Sequence, residues 1–217
     1  MILPTFKEES FLHNAGYQYI AGLDEAGRGP LAGPVVTAAV ILPKNFKIKN
    51  VQDSKRMTAI QRKEMFDYII KNAVDYSIKS MTPKFVDKHN IYRSSQIGMQ
   101  MAVKNLTTKP DFLLIDALNI NTPGIPQKSI IKGDQKVVSI AAASILAKVT
   151  RDELMIKFSK KYPHYGFEFH MGYGTKIHLE ALKKHGPCPI HRFTFEPVRI
   201  AAKAEREKTE EKQKVLL

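Results

Sequence analysis

The sequence contains a single cysteine, Cys188, among its 217 residues. One cysteine cannot form an intramolecular disulfide, which excludes a disulfide-stabilised secreted scaffold and favours the reducing cytoplasm. Long apolar runs are also missing, because none approaches the roughly 20 residues that cross a bilayer. The N-terminal stretch lacks the basic and then apolar layout of a secretory signal. These absences predict a cytoplasmic protein that does not enter the membrane.

Acidic residues are few relative to basic ones, with 21 Asp and Glu against 34 Lys and Arg, which gives a formal net charge of +13. Such an excess attracts polyanions, so nucleic acid is the leading class of partner. Tryptophan is absent, and no predicted helix pairs a basic face with an aromatic anchor face, so an anionic membrane surface is the lesser alternative. The charge alone is also compatible with colloidal solubility and nothing more.

Predicted strands alternate with predicted helices along one domain, residues 1–217, whose part from about residue 162 is a mostly helical extension. This alternation is typical of an α/β fold, and we expect the protein to be monomeric. Strands are predicted at 17–23, 35–42, from 74, at 111–116 and at 129–131. Helices are predicted at 59–73, from 82 to about 106 with a break near Asn90, at 137–161, from 175 to before 186, and at 199–214.

Three of the predicted strands lead to carboxylates: Asp24 with Glu25, then Asp116, then Asp134. Ligands bind at the carboxyl ends of strands in open α/β sheets. Four carboxylates at one edge would repel one another without cations, and ligation by oxygen alone suits Mg²⁺ or Mn²⁺. The pattern predicts a two-ion site and phosphoryl-transfer chemistry. Any one of these acids taken alone could equally be an ordinary surface residue.

Strand geometry raises a difficulty for Asp24 and Glu25, because consecutive side chains of a regular strand point to opposite faces. The two carboxylates can face one site only if the strand is irregular at this point. We therefore predict that the backbone bends at Ala26 and Gly27, immediately after Asp24.

Eight motifs of the sequence together resemble the bacterial ribonuclease HII family of the ribonuclease H-like superfamily, over nearly the whole chain. The resemblance implies a central mixed five-stranded sheet flanked by helices, with a C-terminal helical extension. The motifs are GLDEAGRGPLAGPVV at 22–36, DSKRM at 53–57, LLIDAL at 113–118, IIKGD at 130–134, SIAAASILAKVTRD at 139–152, YPHYGF at 162–167, GYGT at 172–175 and GPCPIHR at 186–192.

This resemblance implies that Asp24, Glu25, Asp116 and Asp134 are the metal-binding catalytic acids. It implies cleavage of the phosphodiester 5′ to a ribonucleotide, in RNA:DNA hybrids or at a single ribonucleotide in duplex DNA, leaving a 3′-hydroxyl and a 5′-phosphate. The family recognises the 2′-hydroxyl of the ribonucleotide through a glycine-arginine-glycine element, here called the ribose reader, which would be Gly27, Arg28 and Gly29. The family's tyrosine that stacks on the sugar of the following deoxynucleotide would be Tyr173.

Several basic residues inside the matched motifs are candidates for phosphate contacts, although basic residues are mostly solvated surface. They are Lys55, Arg56, Lys132 and Lys148. Met171 departs from the family pattern, in which a lysine is common at this position.

His185, Cys188 and His191 have zinc-like spacing but only one thiol, so we do not expect zinc. The C-terminal residues lack the aromatic anchor of a sliding-clamp motif, so clamp binding is not supported.

Two alternatives stay open. The sister family ribonuclease HIII shares the fold and prefers longer RNA in hybrids, but it usually has glycine-threonine-glycine where this chain has Gly27, Arg28 and Gly29, and a glutamate where this chain has Asp134. The other alternative is a nucleic-acid binding module that has lost catalysis. The basic charge supports such a module equally well, but loss of catalysis would not require that all four acids be kept.

Overall fold

Five strands form one mixed sheet in the computed structural model, which describes residues 3–46 and 57–215 of the chain. The strands are β1 (Ile20–Ala26), β2 (Val35–Ile41), β3 (Asp75–Met81), β4 (Phe112–Asp116) and β5 (Gln127–Ile130). Their order across the sheet is β3-β2-β1-β4-β5. β1, β4 and β5 are parallel, whereas β2 is antiparallel to both β1 and β3. The predicted mixed five-stranded sheet is therefore confirmed.

Helices cover both faces of the sheet and make up most of the C-terminal part of the described chain. Two short 3₁₀ turns are also present, Gly133–Gln135 between the last strand and the longest helix, and Pro163–Tyr165 directly after that helix. The helices are α1 (Lys7–Asn14), α2 (Ala59–Asn72), α3 (Pro83–His89), α4 (Ile91–Lys104), α5 (Val138–Lys161), α6 (Phe167–His170), α7 (Lys176–His185) and α8 (Glu196–Val215). The predicted C-terminal helical extension is present as α6 to α8.

Side chains that cap the helices explain why the predicted helix boundaries hold. The Thr58 hydroxyl accepts the Gln61 N–H at 3.2 Å while the Gln61 side chain accepts the Thr58 N–H at 3.0 Å, a capping box that begins α2. The Thr82 and Thr175 hydroxyls cap α3 and α7 by accepting the N–H of the residue three positions later, without a reciprocal bond. Asn90, at φ +59°, separates α3 from α4 at the predicted break.

The strand boundaries match the predictions less closely. β1 begins three residues later than predicted and continues to Ala26, while β5 begins at Gln127, inside a predicted loop. β5 is the sheet edge beyond β4, and all four of its residues are exposed or half-buried. A strand with little burial carries no apolar pattern, which is why the hydrophobic signal missed its start.

Helix α5 lies closely on β1 and carries several side chains to the carboxyl end of the sheet. Its first ten residues are all buried, and four of them are alanines. A side-chain carbon at Gly22 of β1 would clash with the backbone of Ser139, so only glycine permits this approach. Glu9 of α1 accepts the Ser139 N–H at 2.8 Å, which supplies α5 with a cap from another helix.

The apolar core lies on both faces of the sheet. One face packs against α5 and α2 through residues such as Val36, Ile69 and Ile145, and the other packs against α4 through residues such as Leu23 and Met99. Within the described residues, we find no helix with the length and apolar character needed to traverse a bilayer.

Candidate active site

A cavity of about 440 Å³ opens at the carboxyl ends of β1 and β4. Three of the four predicted acids, Asp24, Glu25 and Asp116, line it. Asp24 and Glu25 come from the end of β1, and Asp116 is the last residue of the neighbouring parallel strand β4. The parallel register therefore delivers acids from two strands to one edge, as the sequence pattern predicted.

Asp24 and Glu25 keep the alternation of a regular strand. Asp24 faces α5, where it accepts a hydrogen bond from the Ser144 hydroxyl. Glu25 faces the α4 side, where its carboxylate lies 3.5 Å from the guanidinium of Arg28. That guanidinium lies 6.0 Å from the centre of the Tyr92 ring of α4. The two acids thus approach the cavity from opposite faces of the sheet.

The predicted bend does not follow immediately after Asp24, because the strand continues through Ala26 and the backbone turns only at Gly27, where φ is +97°. Asp24, Glu25 and Ala26 all keep regular antiparallel pairing with β2. On the other side, the last parallel pair with β4 joins Leu23 to Ile115, so the end of β1 has no neighbouring strand there. Side chains from both faces reach the same cavity around this open edge, and no bend is required.

The electrostatics of the acid pair centre on Asp24, which is only 4% exposed. Burial raises the pKa of Asp24 well above its ordinary value, and the negative charges of Glu25 and Asp116 raise that pKa further. The Ser144 hydroxyl and the Glu25 N–H, which donates to Asp24 at 2.7 Å, act in the opposite direction by stabilising the carboxylate. Ionised Asp24 therefore favours a cation nearby.

Asp134 is not among the residues that line this cavity. It is buried in the 3₁₀ turn that follows β5, and the N–H of the preceding Gly133 donates to the Asp116 carboxylate at 2.6 Å. This hydrogen bond connects the turn that contains Asp134 to the side chain of Asp116.

No three Asp, Glu, His or Cys side chains of residues 3–46 and 57–215 are grouped so that they could hold one metal ion. Mg²⁺ is commonly held by one or two carboxylates together with water and substrate phosphates. The acids at this edge supply only oxygen ligands, and they lie close enough to raise the pKa of Asp24. They fit an ion site that the substrate would complete.

A loop without regular structure, residues 27–34 (the glycine loop), forms the second wall of the cavity. Gly27, Arg28 and Gly29 all line it. Gly27 has φ +97°, and a side-chain carbon there would clash with Arg151 and with the Pro34 carbonyl. Glycine at position 27 is thus required by both backbone conformation and space.

Two buried arginines hold the glycine loop through its carbonyl groups. Arg192 donates to the carbonyls of Gly27 at 2.6 Å, Arg28 at 3.0 Å and Gly33 at 2.9 Å. Arg151 donates to Pro34 at 3.0 Å, and it also bonds the carbonyls of Ala32 and Met171. Burial lowers the pKa of Arg192, and the nearby charge of Arg151 lowers that pKa further. Sequence reasoning assigned neither arginine a role, although both lie within the matched motifs.

The third wall is residues 171–175 (the tyrosine loop), which carries Tyr173. Tyr173 lines the cavity and is 47% exposed. A side-chain carbon at Gly29 would lie 3.6 Å from its ring. The Leu31 N–H donates to the Gly172 carbonyl at 2.8 Å, so the tyrosine loop and the glycine loop are joined directly.

The predicted phosphate contacts divide into three groups. Lys148 lines the cavity and pairs with Asp152 at 2.7 Å, whereas Lys132 is exposed and is not among the lining residues. Lys55 and Arg56 lie outside the described residues. Arg62 of α2 also lines the cavity, and sequence reasoning missed it because an arginine on the polar face of a helix carries no further signal.

His185, Cys188 and His191, which have zinc-like spacing, make the following contacts within the protein. His185 is exposed and stacks on His164. His191 is buried, its Nδ1 lies 2.9 Å from the Cys188 backbone nitrogen, and its Nε2 lies 2.9 Å from Nε2 of His178. Burial also raises the pKa of the Cys188 thiol to about 11.

The sequence of this chain is similar to those of known ribonucleases. The family model described as Ribonuclease HII matches residues 21–198. Ribonuclease HII of Bacillus cereus (strain Q1) is 52% identical over 197 residues, covering 91% of this chain and 76% of the relative. Ribonuclease HII of Bacillus thuringiensis (strain Al Hakam) is 51% identical over 197 residues, with the same coverage of 91% and 76%.

Solved structures give the same fold. Ribonuclease H2 from Pyrococcus horikoshii OT3 matches with a TM-score of 0.75 and 29% identity, over 87% of this chain and 99% of that chain. The RNase HII in a PCNA complex from Archaeoglobus fulgidus matches with a TM-score of 0.62 and 24% identity, over 76% and 85%. Bst-RNase HIII in complex with Mn²⁺ matches with a TM-score of 0.68 and 18% identity, over 87% and 70%. At these identities the last two support the fold alone.

Proposed function

Because this chain belongs to the ribonuclease HII family and is an endoribonuclease of RNA:DNA hybrids, we propose that it also cuts at single ribonucleotides embedded in duplex DNA. The bond hydrolysed is the phosphodiester 5′ to the ribonucleotide, and the products carry a 3′-hydroxyl and a 5′-phosphate. The observation that carries this proposal is one cavity that brings Asp24, Glu25 and Asp116 together with the glycine loop and Tyr173.

The acids supply the reacting end of the site. The family depends on divalent metal, and we propose that Asp24, Glu25, Asp116 and Asp134 hold two Mg²⁺ or Mn²⁺ ions. The chemistry that two such ions supply when bound is activation of the attacking water and stabilisation of the leaving oxygen. Arg28 neutralises part of the charge of Glu25, and the hydrogen bond from the Ser144 hydroxyl stabilises the Asp24 carboxylate against the effect of burial, which raises the pKa of Asp24.

The glycine loop supplies the ribose reader. Its Gly27 and Arg28 carbonyls point inward to Arg192. In a trans peptide the C=O and the following N–H point in opposite directions, so the N–H groups of Arg28 and Gly29 point away from Arg192. Two outward N–H groups without a bulky side chain at position 29 suit an oxygen ligand such as a 2′-hydroxyl or a phosphate. A deoxynucleotide would leave this contact unmade.

The remaining lining residues supply contacts along the nucleic-acid backbone. Tyr173 is half-exposed beside Gly29, and we propose that its ring stacks on the sugar that follows the ribonucleotide. Arg62 and Lys148 line the same cavity and would contact phosphates. The proposed phosphate roles of Lys55, Arg56 and Lys132 rest on the family resemblance. The prediction that clamp binding is unsupported is not confirmed, since one structural neighbour is in complex with PCNA.

Three substrates test this function. The protein is incubated with Mg²⁺ or Mn²⁺ and a DNA duplex that contains one ribonucleotide, beside an all-DNA duplex and a continuous RNA:DNA hybrid. We expect incision of the first and third substrates, on the 5′ side of the ribonucleotide in the first. The 5′-phosphate is checked by ligation of the product, and the omission of metal is the control.

Other outcomes would redirect the proposal. Incision of the continuous hybrid alone would support the ribonuclease HIII-like alternative, in which longer RNA is needed. Binding of all three duplexes without incision would support the non-catalytic module. The fourth acid is tested separately, since Asp134→Asn should abolish incision while leaving duplex binding largely intact. Activity of this variant near that of the wild type would remove Asp134 from the metal site.

A further inference from the structure

Two buried histidines lie directly behind Tyr173 and face each other. Nε2 of His178, on α7, is 2.9 Å from Nε2 of His191. Nδ1 of His178 is 2.9 Å from the Tyr173 carbonyl oxygen, and Nδ1 of His191 is 2.9 Å from the Cys188 nitrogen. Both rings are at most 1% exposed. The pair, here called the histidine relay, thus connects the backbone at Cys188 to the backbone at Tyr173.

The two ends of the histidine relay fix its direction. The Cys188 N–H can only donate, so Nδ1 of His191 must accept and carries no proton. Nε2 of His191 then carries the proton and donates to Nε2 of His178. Nδ1 of His178 in turn carries the proton that is donated to the Tyr173 carbonyl, which can only accept. The Cys188 carbonyl also lies 3.2 Å from the same His191 nitrogen, but the Tyr173 end alone requires His191 to donate from Nε2, which leaves Nδ1 of the neutral ring as an acceptor.

This arrangement requires both imidazoles to be neutral. A proton added to His178 would bring two N–H groups face to face at the Nε2 pair, and a proton added to His191 would bring its Nδ1–H against the Cys188 N–H. Burial lowers the pKa of His178 to about 4 and that of His191 to about 3, and the proximity of the rings contributes to the value for His191. The histidine relay is therefore in its hydrogen-bonding form at neutral pH.

The tyrosine loop needs such support because its backbone is unusual. Met171 has φ +50° although it is not glycine, and Gly172 follows at φ +85°. A third histidine, His170, accepts the Gly172 N–H at its Nδ1 at 3.2 Å and donates from Nε2 to the Tyr165 carbonyl at 2.8 Å. Its ring stacks on that of His178, with 4.6 Å between ring centres. Imidazoles therefore bond the backbone on both sides of Met171.

We propose that His178 and His191 are positioning residues for Tyr173, with His178 held as the Nδ1–H tautomer and His191 as the Nε2–H tautomer. The histidine relay fixes the position of the Tyr173 backbone relative to Gly29. It thereby fixes where the Tyr173 ring meets the substrate. This role rests on the proposed function, since it matters for cleavage only if Tyr173 contacts the nucleic acid. The hydrogen bonding itself does not depend on that function.

The tautomers are tested directly by long-range ¹H–¹⁵N correlation spectra of the ¹⁵N-histidine-labelled full chain near neutral pH. We expect the Nδ1–H pattern for His178 and the Nε2–H pattern for His191. The His178→Asn variant assigns the first signal by its loss, and His164→Asn does the same for an exposed histidine. Two Nε2–H rings, or an imidazolium at either position, would overturn the proposal.

A double-mutant cycle tests the action through Tyr173. His178→Leu should lower kcat/KM on the single-ribonucleotide duplex by about tenfold, because small misplacements of a contact group are costly. His178→Asn keeps an amide N–H near the position of Nδ1 and should stay within about threefold of wild type. In a Tyr173→Ala background, His178→Leu should change kcat/KM by less than about twofold, since the two residues act as one unit. Fully additive losses would overturn the proposal.

The outcomes separate the two proposals. If the wild type fails to cut the single-ribonucleotide duplex, the proposed function fails, and the tautomer spectra still decide whether the relay exists. If His178→Leu does not fold, His178→Asn and the spectra decide in its place. His164→Leu, an exposed change in the same part of the fold, is the matched control and should leave kcat/KM unchanged.

Discussion

The acid edge of this site and its two loops are built in different ways. Asp24, Glu25 and Asp116 stand on strands whose hydrogen-bonded register sets their positions. The glycine loop and the tyrosine loop have little regular structure, and they are held by side chains that bond backbone carbonyls. A strand end is positioned by a whole sheet, whereas each loop depends on a few buried polar groups. Loss of one such side chain leaves buried backbone groups without a hydrogen-bond partner, which lowers the free energy of unfolding.

The comparison predicts that acid variants lose chemistry without losing stability. Asp24→Asn should reduce incision by at least about a thousandfold, because it removes a proposed metal ligand and charge at the reacting centre. The same change removes a buried carboxylate that Glu25 and Asp116 repel, so the melting temperature should stay level or rise. Incision assays and thermal unfolding measure the two effects. Asp67→Asn, on the exposed side of α2, is the control, and a clear fall in melting temperature for Asp24→Asn would break the comparison.

Variants of the residues that hold the loops should lose stability, in contrast to the acid variants, which should lose only activity. Arg192→Lys should lower the free energy of unfolding by about 2–4 kcal/mol, because a single ammonium nitrogen does not reach the positions from which the three guanidinium nitrogens contact separate carbonyls. Urea unfolding measures the effect. Arg199→Lys, an exposed arginine on α8, should stay within about 0.5 kcal/mol of wild type. Equal stability of the two variants would show that the fork does not hold the loop.

Arg28 belongs to both regions, since it lies in the glycine loop and pairs with Glu25. Arg28→Ala should reduce the preference for a ribonucleotide over a deoxynucleotide site by about tenfold, the size expected for one lost charge-assisted hydrogen bond. Relative incision of the single-ribonucleotide and all-DNA duplexes measures this ratio. Arg93→Ala, exposed on α4, is the matched control. An unchanged ratio would exclude a role of the Arg28 side chain in ribose recognition, while its backbone N–H would remain a candidate.

The smallest effect is expected from pH. The pKa values of His178 and His191 fall to about 4 and about 3 in the folded protein, below the ordinary value of about 6.5. The unfolded chain therefore binds protons first, and the free energy of unfolding falls as the pH drops below about 6.5. Urea unfolding between pH 7.5 and 5 should show a shallower dependence for His178→Asn than for wild type. His164→Asn should keep the wild-type slope, and equal slopes in all three would argue against a neutral buried pair.

Local signals were sufficient where the structure is locally determined. The helix after Thr58 was predicted from one capping side chain and a 3.6-residue apolar period, and the break at Asn90 was predicted as well. Strand β2 was found from its apolar run, because both of its faces are buried. The gathering of Asp24, Glu25 and Asp116 followed from strands that end on acids.

Features set by distant contacts were not predictable from the sequence pattern. Arg151 bonds a carbonyl 117 residues away, and Arg192 bonds one 165 residues away. The neighbouring sequence does not show whether an arginine is buried or exposed, so the local pattern could not identify these two. The predicted bend after Asp24 failed for a related reason, since the open edge of β1 depends on where β4 stops.

The bond from Arg192 to Gly27 also orders events during synthesis. The strands and α5, with all four proposed ligand acids, lie within the first 161 residues, whereas Arg192 is added later. Domains assemble from the N-terminus as the chain emerges, and contacts of high sequence separation form last. The growing chain therefore acquires the proposed ligand acids before it acquires the arginine that holds the glycine loop, so on the proposed function the discrimination of ribonucleotides is the last property to mature.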